Sequence, residues 1–308
     1  MDRLNDVVFL SWMHCTGEHG KASRWLREKM DVKAVAGCYG QDTYLHYPND
    51  LGYGIRYGHV QKLVKDADAV VLEEGLPEDY GIAPSDLEGK VVVRDAHGTF
   101  TRKNCRRLAE WDAAHSVVYR TADLRGLLCE DAHLSPCSID FDDWLFRPCW
   151  EVSSKVVVAH APTNRGIKGT HLLLQALKQF PDIELIISER EPNRYSLWNR
   201  RRANVYFDNI ADGTYYGYKG VLGVAGIEAA AQGQAVIGDF TADGIKLDWS
   251  WVKDSAGVVA ALGQLSDLEY RERMRSEWFV WVMEHRNRKL VMEEFYGWLC
   301  RQSPYSCA

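Results

Sequence analysis

Short apolar runs alternate with amphipathic stretches along the whole chain. In the first half the apolar runs begin at Val7, Val32, Ala69, Lys90 and Ser116, and residues 22–30 and 102–112 show helical spacing of their apolar positions. Runs that are apolar at consecutive positions are typical of strands buried on both faces. The alternation of such strands with helices predicts a mostly parallel sheet covered on both sides, which is an α/β fold.

The second half repeats this pattern. Apolar runs begin at Val156, Glu184, Val205 and Ala235, with helical stretches near residues 170–179, 195–203 and 221–232. Residues 265–299 read as long helices rich in Trp, Glu and Arg. Between the halves, residues 134–148 (LSPCSIDFDDWLFRP) are rich in Pro, Ser and Asp, which is typical of a linker. Two Rossmann-like domains are therefore predicted.

Composition narrows the class of protein. The chain has 308 residues, enough for two domains of about 150 residues each. No apolar run approaches the roughly 18 to 20 residues that span a bilayer, and acidic residues stand where a signal peptide needs basic ones, so we expect no membrane span and a cytoplasmic location. The eight cysteines form no CxxC pair and are expected to be reduced. A formal net charge of −6 argues against broad electrostatic binding to nucleic acid.

Two segments carry the most specific chemistry. Residues 156–170 (VVVAHAPTNRGIKGT) predict a strand, a loop with Arg165 and Lys168, and a helix beginning near Gly169. Residues 226–240 (GIEAAAQGQAVIGDF) predict a helix with Glu228 and then a strand. A helix N-terminus with nearby cations holds an anion without a metal, and one carboxylate accepts both hydroxyls of a ribose. The pair of segments predicts a site for a nucleotide-diphosphate sugar.

In this order and at this separation, the two segments resemble the C-terminal half of retaining GT-B glycosyltransferases, the "glycosyl transferases group 1" (family 4-like) enzymes. The resemblance implies that Lys168 and Gly169 match the family's KG, that Arg165 is the second cation on the diphosphate, and that Glu228 binds the donor ribose. Residues 134–148 resemble the family's PxxIDxDxFxP connection, which extends the resemblance to most of the chain.

One position departs from the family pattern. A Glu often stands eight residues before the ribose-binding Glu, but this chain has Gly220 there, preceded by Tyr218 and Lys219. The departure leaves open which contact to the sugar replaces that carboxylate. Lys219 and Gly220 are kept as donor-binding candidates.

The resemblance also implies an architecture. It predicts the GT-B fold, with two Rossmann-like domains facing a central cleft and a C-terminal helix crossing back to the N-terminal domain. The expected boundaries are an acceptor-binding domain over residues 1–148, a linker near 134–152, a nucleotide-sugar-binding domain over 153–285, and the returning helix over 286–308.

Further candidates lie in the first half. His97, in an HGT setting after a predicted strand, resembles the family's HG motif, whose His lies close to the donor sugar. Gly17, in the loop CTGEHG, lets the backbone approach a ligand. Candidates for the acceptor side are His14, Glu18 and His19. The predicted catalytic residues are therefore His97, Arg165 and Lys168.

Three acidic residues in the linker, Asp140, Asp142 and Asp143, imitate the DxD that metal-dependent glycosyltransferases use. Because Lys168 and Arg165 already supply positive charge, we predict no metal and no other cofactor.

The prediction is a metal-independent glycosyltransferase that moves a sugar from a nucleotide-diphosphate donor, with a UDP-sugar favoured, to the hydroxyl of a glycan, a small molecule or a modified DNA base. The family resemblance implies that it retains the anomeric configuration. One alternative is a phage-type DNA glycosyltransferase acting on a hydroxymethyl pyrimidine, since residues 194–202 interleave arginines with aromatics. Two others are a non-catalytic nucleotide-sugar binder, motivated by Gly220, and a sugar-nucleotide epimerase of the same fold.

Overall fold

The computed structural model describes residues 4–11, 18–39, 50–51, 54–96, 98–210, 220–240, 245 and 252–302. Four of the predicted site residues, His14, Gly17, His97 and Lys219, lie outside these ranges. The chain divides into two compact units. Unit 1 comprises Met1–Cys137 and Lys289–Ala308, and unit 2 comprises Ser138–Arg288.

Unit 1 is built on a parallel sheet. Its strands are β1 (Asp6–Ser11), β2 (Lys33–Cys38), β3 (Ala69–Glu73), β4 (Val91–Ala96), β5 (Ser116–Tyr119) and β6 (His133–Leu134), in the order β2-β1-β3-β4-β5-β6. Its helices are α1 (Glu18–Met30), α2 (Tyr57–Asp66) and α3 (Gly98–Ala114), to which the C-terminal α9 (Arg288–Arg301) is added. Every strand pair within this sheet is parallel, so the carboxyl ends of its strands share one edge.

Alternation of faces along the strands lets the unit 1 sheet pack apolar residues on both of its faces. On one face, Phe9 and Val71 pack with Ala22, Trp25 and Leu26 of α1, the residues whose spacing indicates a helix with one apolar face. The C-terminal helix α9 adds Val291, Met292, Phe295, Tyr296, Trp298 and Leu299 to this same core. The returning helix implied by the family resemblance is therefore present in the fold.

Unit 2 repeats the architecture on a smaller scale. Its strands are β7 (Val157–His160), β8 (Glu184–Ile187), β9 (Val205–Phe207) and β10 (Ala235–Ile237), all parallel and ordered β10-β9-β7-β8. Its helices are α4 (Thr170–Leu177), α5 (Asn193–Arg200), α6 (Val224–Ala231), α7 (Ser255–Leu265) and α8 (Leu268–His285). The core combines buried strand residues such as Val158 and Phe207 with Leu173, Leu262 and Met274 from the helices.

The α/β class and the parallel sheets predicted from the apolar runs are confirmed. Two helices escaped prediction. In α2 the apolar residues Val60, Leu63 and Val64 have helical spacing and pack in one core cluster, but they span little more than one turn of this short helix. The sequence of α7 is dominated by Ala, Val, Leu and Gly, and its start is set by Asp254, whose carboxylate accepts a hydrogen bond of 2.8 Å from the Gly257 N–H.

Two further features bear on the expectations from composition. Among the residues that the structure describes, no helix is both long enough and apolar enough to cross a membrane. Six of the cysteines lie in the described ranges, and all six are free thiols.

Candidate functional site

The loop between β7 and α4 is shaped by glycine. Gly169 immediately precedes α4 and has φ of +66°, a left-handed conformation that favours glycine. A Cβ there would lie 3.3 to 3.4 Å from atoms of Ile210, which follows β9, so a side chain would press against that neighbouring loop. The match of Lys168 and Gly169 to the family's KG therefore has a local reason. Glycine lets the chain turn into α4 close to the end of β9, the strand beside β7 in the sheet.

His160, the last residue of β7, fixes the start of α4. Its Nδ1 lies 2.8 Å from the carbonyl oxygen of Phe207, and its Nε2 lies 2.8 Å from Oγ1 of Thr170. A carbonyl only accepts, so Nδ1 donates and Nε2 accepts the hydroxyl hydrogen of Thr170. Burial lowers the pKa of His160 to about 4, which keeps the imidazole neutral at physiological pH.

Lys168 approaches a buried carboxylate. Its Nζ lies 3.8 Å from Oδ1 of Asp208, whose side chain is 1% exposed, whereas the side chain of Lys168 is 18% exposed. Asp208 follows β9, and its Oδ2 accepts hydrogen bonds from the Gly223 N–H at 2.6 Å and from Nδ2 of Asn209 at 2.7 Å. Within the described residues, Oδ1 of Asp208 has no hydrogen-bond partner. The carboxylate thus holds the ammonium group of Lys168 at the beginning of α6.

Two glycines make room for this pair. A Cβ on Gly223, the residue before α6, would lie 2.9 Å from Oδ1 of Asp208 and 3.0 Å from Nζ of Lys168. A Cβ on Gly226 would lie 3.0 Å from Cγ of Asp208. Larger residues at either position would displace the charged pair from the helix N-terminus. The ammonium group of Lys168 and the positive end of the α6 dipole therefore lie together.

Arg165 is placed differently. Its guanidinium group pairs with Glu189, which follows β8, through Nε at 3.0 Å and NH2 at 2.8 Å. The side chain of Arg165 is 54% exposed and that of Glu189 is 27% exposed. An exposed ion pair of this kind contributes only about 0 to 1 kcal/mol, so an anionic ligand can displace it at little cost.

Glu228 is buried within α6 and oriented by two side chains of α5. One oxygen accepts a hydrogen bond of 2.5 Å from Arg200, and the other accepts one of 3.0 Å from Asn193. Arg200 also donates to the carbonyl of Ala225 and lies over the ring of Tyr206. A carboxylate has about four lone-pair sites, so Glu228 can accept further hydrogen bonds.

Gly220 lies against a carboxylate from another segment. A Cβ at this position would overlap the side chain of Asp239, which follows β10 and is 9% exposed. The backbone of Asp239 is fixed by a hydrogen bond of 2.8 Å from its N–H to the carbonyl of Asn209.

In unit 1, the two acceptor-side candidates that the structure describes are both buried. Glu18, the first residue of α1, is 2% exposed and pairs with Lys21 at 2.8 Å. His19 is also 2% exposed, and its Nε2 lies 3.0 Å from Oδ2 of Asp95 at the end of β4. Its Nδ1 has no hydrogen-bond partner within the described ranges.

Asp95 connects His19 to Arg120. The guanidinium group of Arg120 donates through Nε and NH2 to both carboxylate oxygens of Asp95, and through NH1 to the carbonyl and hydroxyl oxygens of Ser135. Burial alone lowers the pKa of Arg120, but the Asp95 carboxylate raises it by more, so the net pKa lies above its ordinary value. The result is a buried His19–Asp95–Arg120 network.

Two of the three linker carboxylates, those of Asp140 and Asp143, pair with arginines. Oδ2 of Asp140 lies 2.5 Å from NH1 of Arg288, and Oδ2 of Asp143 lies 2.8 Å from NH1 of Arg194. Asp143 also accepts a hydrogen bond from the Leu145 N–H at the start of a short 3₁₀ helix. No group of three or more His, Cys, Asp or Glu residues suited to a metal occurs in the described part of the chain. The absence of a metal requirement stays a prediction.

The structure therefore brings Lys168, Gly169, Gly220 and Glu228 into the same unit, around the ends of β7, β9 and β10. Sequence reasoning missed three residues there: His160, Asp208 and Asp239. Each follows or ends a short buried strand, and that position is the one signal the sequence offered. His160 and Asp239 lie within the two segments singled out in the sequence, but neither was assigned a role there, and Asp208 lies outside both segments.

Comparison with known proteins gives a clear result for the fold alone. No protein-family model matches the chain, and no curated protein matches it. The crystal structure of a glycosyltransferase from Rickettsia africae is similar over 98% of this chain and 100% of that chain, with a TM-score of 0.69 and 9% sequence identity. An alpha-glucosyltransferase solved with UDP and a 13-mer DNA containing an HMU base is similar over 97% of this chain and 100% of that chain, with a TM-score of 0.68 and 11% sequence identity.

A third similar structure is the lipopolysaccharide outer core galactosyltransferase WaaB, with a TM-score of 0.59 and 9% identity over 96% of this chain and 99% of that one. At such identities the likeness establishes the fold. The chain has the α/β fold with parallel sheets of GT-B glycosyltransferases.

Proposed function

We propose that this protein is a glycosyltransferase that transfers a sugar from a UDP-sugar to an acceptor hydroxyl, with retention of configuration and without a metal. One observation carries the proposal. The ammonium group of Lys168 is held at the N-terminus of α6, 3.8 Å from a buried carboxylate whose Oδ1 has no hydrogen-bond partner among the described residues. In the same unit, Glu228 is buried and oriented in α6.

The diphosphate would bind at the start of α6. Lys168 and the helix dipole supply positive charge there, and Gly223 leaves room for the side chain of Lys168 beside the helix start. Arg165 would exchange its exposed partner Glu189 for the second phosphate, since guanidinium groups bind phosphate in a bidentate manner. We include Lys219 and Gly220 in the donor site and Gly17 in the loop that approaches the donor, as implied by the family resemblance.

Glu228 would accept hydrogen bonds from the two ribose hydroxyls. Its orientation by Arg200 and Asn193 means that no side-chain entropy is lost when the ribose binds. The choice of UDP rests on the family resemblance and on the similar alpha-glucosyltransferase that was solved with UDP.

The chemistry follows from charge development on the leaving group. The acceptor oxygen bonds to the anomeric carbon while the bond to the diphosphate oxygen breaks, and the hydroxyl proton passes to that departing oxygen. Negative charge grows on the diphosphate in the transition state, where Lys168 and Arg165 stabilise it. This route needs no protein base. The family resemblance also implies that His97 lies close to the donor sugar, and we include it among the catalytic residues on that ground.

A panel of UDP, GDP, ADP and their sugars in thermal unfolding tests the donor. A ligand at a hundred times its dissociation constant adds about 2.7 kcal/mol of stability, and we expect UDP and UDP-sugars to give that effect. If none of the nucleotide diphosphates stabilises the protein, the proposal is wrong. If UDP binds but neither transfer nor hydrolysis of the sugar occurs across the donor panel, the protein is a non-catalytic binder. Conversion of the donor without an acceptor would identify an epimerase.

Transfer assays test the two finer points. Activity should persist in excess chelator, and the anomeric coupling constant of the product should show the configuration of the donor. Loss of activity with chelator would overturn metal independence, and an inverted product would overturn retention.

A second candidate acceptor is a hydroxymethylated pyrimidine in DNA. Tyr195 and Trp198 of α5 are 55% and 56% exposed, beside Arg194 and Arg201. Trp144 packs edge-on against Trp198 with ring centroids 5.6 Å apart. Exposed rings next to guanidinium groups suit a nucleic-acid strand, and one similar structure contains DNA. Incubation with UDP-glucose and hydroxymethylated duplex DNA, followed by nucleoside analysis, should give mass-shifted nucleosides. Unshifted nucleosides with every donor in the panel would remove this candidate.

A further inference from the structure

The carboxylate of Asp239 occupies the space that a side chain at position 220 would need. An ideal Cβ on Gly220 would lie 2.1 Å from Cγ of Asp239, and 2.2 and 2.5 Å from its two carboxylate oxygens. These distances leave no room for any side chain at position 220 while Asp239 keeps its conformation. Glycine at position 220 and aspartate at position 239 therefore form a matched pair, in which the first residue makes space for the carboxylate of the second.

Asp239 belongs to the same edge of the unit 2 sheet as the candidate diphosphate site. Its N–H donates to the carbonyl of Asn209 at 2.8 Å, and the side-chain amide of Asn209 donates to Asp208 and to the carbonyl of Val221. The backbone that carries Asp239 is thus fixed to the backbone beside Asp208. Ligands of open parallel sheets bind at this edge.

The distance between the two charged groups is limited by chain length. Gly220 touches the carboxylate of Asp239, and Gly223 lies next to the ammonium group of Lys168. Three residues of fully extended chain span at most about 11 Å. The carboxylate and the ammonium group are therefore placed near the two ends of the short segment 220–223, which leads into α6.

The two groups select opposite chemistry. An ammonium group binds phosphate, whereas a carboxylate accepts hydrogen bonds from hydroxyl groups. A ligand that contacts both must carry phosphate at one end and hydroxyl groups at the other. A hexose esterified to a diphosphate has this arrangement.

We infer that Asp239 accepts hydrogen bonds from hydroxyl groups of the donor sugar and so determines which sugar is transferred. This inference rests on the proposed function. It also gives Gly220 a role. The glycine that departs from the family pattern does not leave the sugar without a carboxylate, because the carboxylate reaches this position from the end of β10.

The test measures the contribution of the sugar to binding separately from that of the nucleotide. We would titrate the full-length protein and its Asp239→Asn variant with UDP and with UDP-glucose, UDP-galactose and UDP-N-acetylglucosamine. A lost hydrogen bond to a charged group corresponds to roughly 10- to 100-fold in affinity. We expect Asp239→Asn to weaken binding of the preferred UDP-sugar by that factor and to leave UDP binding within about twofold of the original value.

Three other variants complete the test. Glu228→Gln should weaken UDP and UDP-sugar in parallel, since it acts on the ribose that both ligands share. Asp267→Asn is the matched control, because Asp267 only caps α8 and should change neither affinity. Gly220→Ala displaces the Asp239 carboxylate without removing it, and should reproduce the selective loss for the UDP-sugar if Asp239→Asn does not fold.

Deoxy donors give a measurement on the unmodified protein. UDP-sugars that lack single hydroxyl groups should bind the original protein less well at one or two positions. Asp239→Asn should no longer discriminate at those positions. If Asp239→Asn weakens UDP and UDP-sugar equally, or keeps the discrimination, the role of Asp239 is refuted while the proposed function stands. If the original protein binds neither UDP nor any UDP-sugar, both proposals are wrong.

Discussion

The carboxyl edges of the two sheets carry similar residue types but use them in opposite ways. In unit 1, Asp95 and Arg120 are each at most 1% exposed in their side chains, and their charges neutralise each other within the His19–Asp95–Arg120 network. In unit 2, Lys168 and Arg165 keep 18% and 54% of their side chains exposed while touching carboxylates. The buried pair in unit 1 fixes the positions of its own side chains. The cations in unit 2 remain accessible to an anionic ligand.

The largest expected effect comes from breaking the unit 1 network. Arg120→Met removes every hydrogen bond from Arg120 to Asp95 and leaves a buried carboxylate, which should lower the free energy of unfolding by about 3 to 5 kcal/mol. The folded fraction should still bind UDP as before, since Lys168, Arg165 and Glu228, the residues proposed to contact the diphosphate and the ribose, lie in unit 2. Chemical denaturation and UDP titration measure the two quantities. Arg125→Met, at an exposed position nearby, should change the stability by no more than about 0.5 kcal/mol.

Removing a positive charge from unit 2 should lower the transfer rate strongly and the stability only slightly, the opposite of the effect in unit 1. Lys168→Ala should reduce the transfer rate by about 100- to 1000-fold, since Lys168 opposes the charge that grows on the leaving diphosphate. Stability should fall less, because Asp208 keeps its hydrogen bonds from Gly223 and Asn209. Lys178→Ala, at the exposed end of α4, serves as the control and should leave the rate unchanged. A Lys168→Ala enzyme that transfers at the original rate would show that the diphosphate binds elsewhere.

The pH dependence of unfolding should report His160. Its pKa is about 4 in the folded protein and 6.5 in an unperturbed histidine, so between these values the unfolded chain binds a proton that the folded protein excludes. Stability should therefore be complete above pH 6.5 and fall toward pH 4, by about 3 kcal/mol in total from this group. His160→Gln should flatten that part of the profile, whereas a change of the exposed His115 to Gln should not. An identical slope in His160→Gln would place the titration on another group.

The smallest effect concerns the exposed pair Arg165–Glu189. Glu189→Gln should tighten UDP binding by a few-fold, because Arg165 no longer has to leave a partner before it contacts phosphate. The free energy of unfolding should change by no more than about 1 kcal/mol. The gain in UDP affinity should shrink at high salt, which screens exposed charges. Weaker UDP binding in Glu189→Gln would mean that the pair orients Arg165 instead of competing for it.

Local pattern sufficed for the fold because buried parallel strands have a strong signal. The runs at Val7, Ala69 and Val156 are apolar at successive positions, and all three are strands of parallel sheets. The short helix α2 was missed although Val60, Leu63 and Val64 have helical spacing, because these residues span little more than one helical turn. Helix ends were also shifted, since α5 ends at Arg200 and not near Ala203.

The candidate site was only partly visible in the sequence. Lys168 and Glu228 were found because they belong to segments with fixed spacing. Asp208 and Asp239 are single polar residues after short strands, and their importance arises from contacts between segments far apart in sequence, such as Asp239 with Gly220. The buried state of Glu18 and His19 was invisible for the same reason, because Asp95 lies 76 positions from His19.

The discontinuity of unit 1 has a consequence for synthesis of the protein. Residues 138–288 form one uninterrupted stretch, so unit 2 can complete its fold while the remainder is still being translated. Unit 1 needs Phe295 and Leu299 to cover Phe9, and these residues are translated after the whole of unit 2. A nascent or truncated chain that ends before α9 would expose that apolar surface, and chaperone binding is expected until α9 has been made.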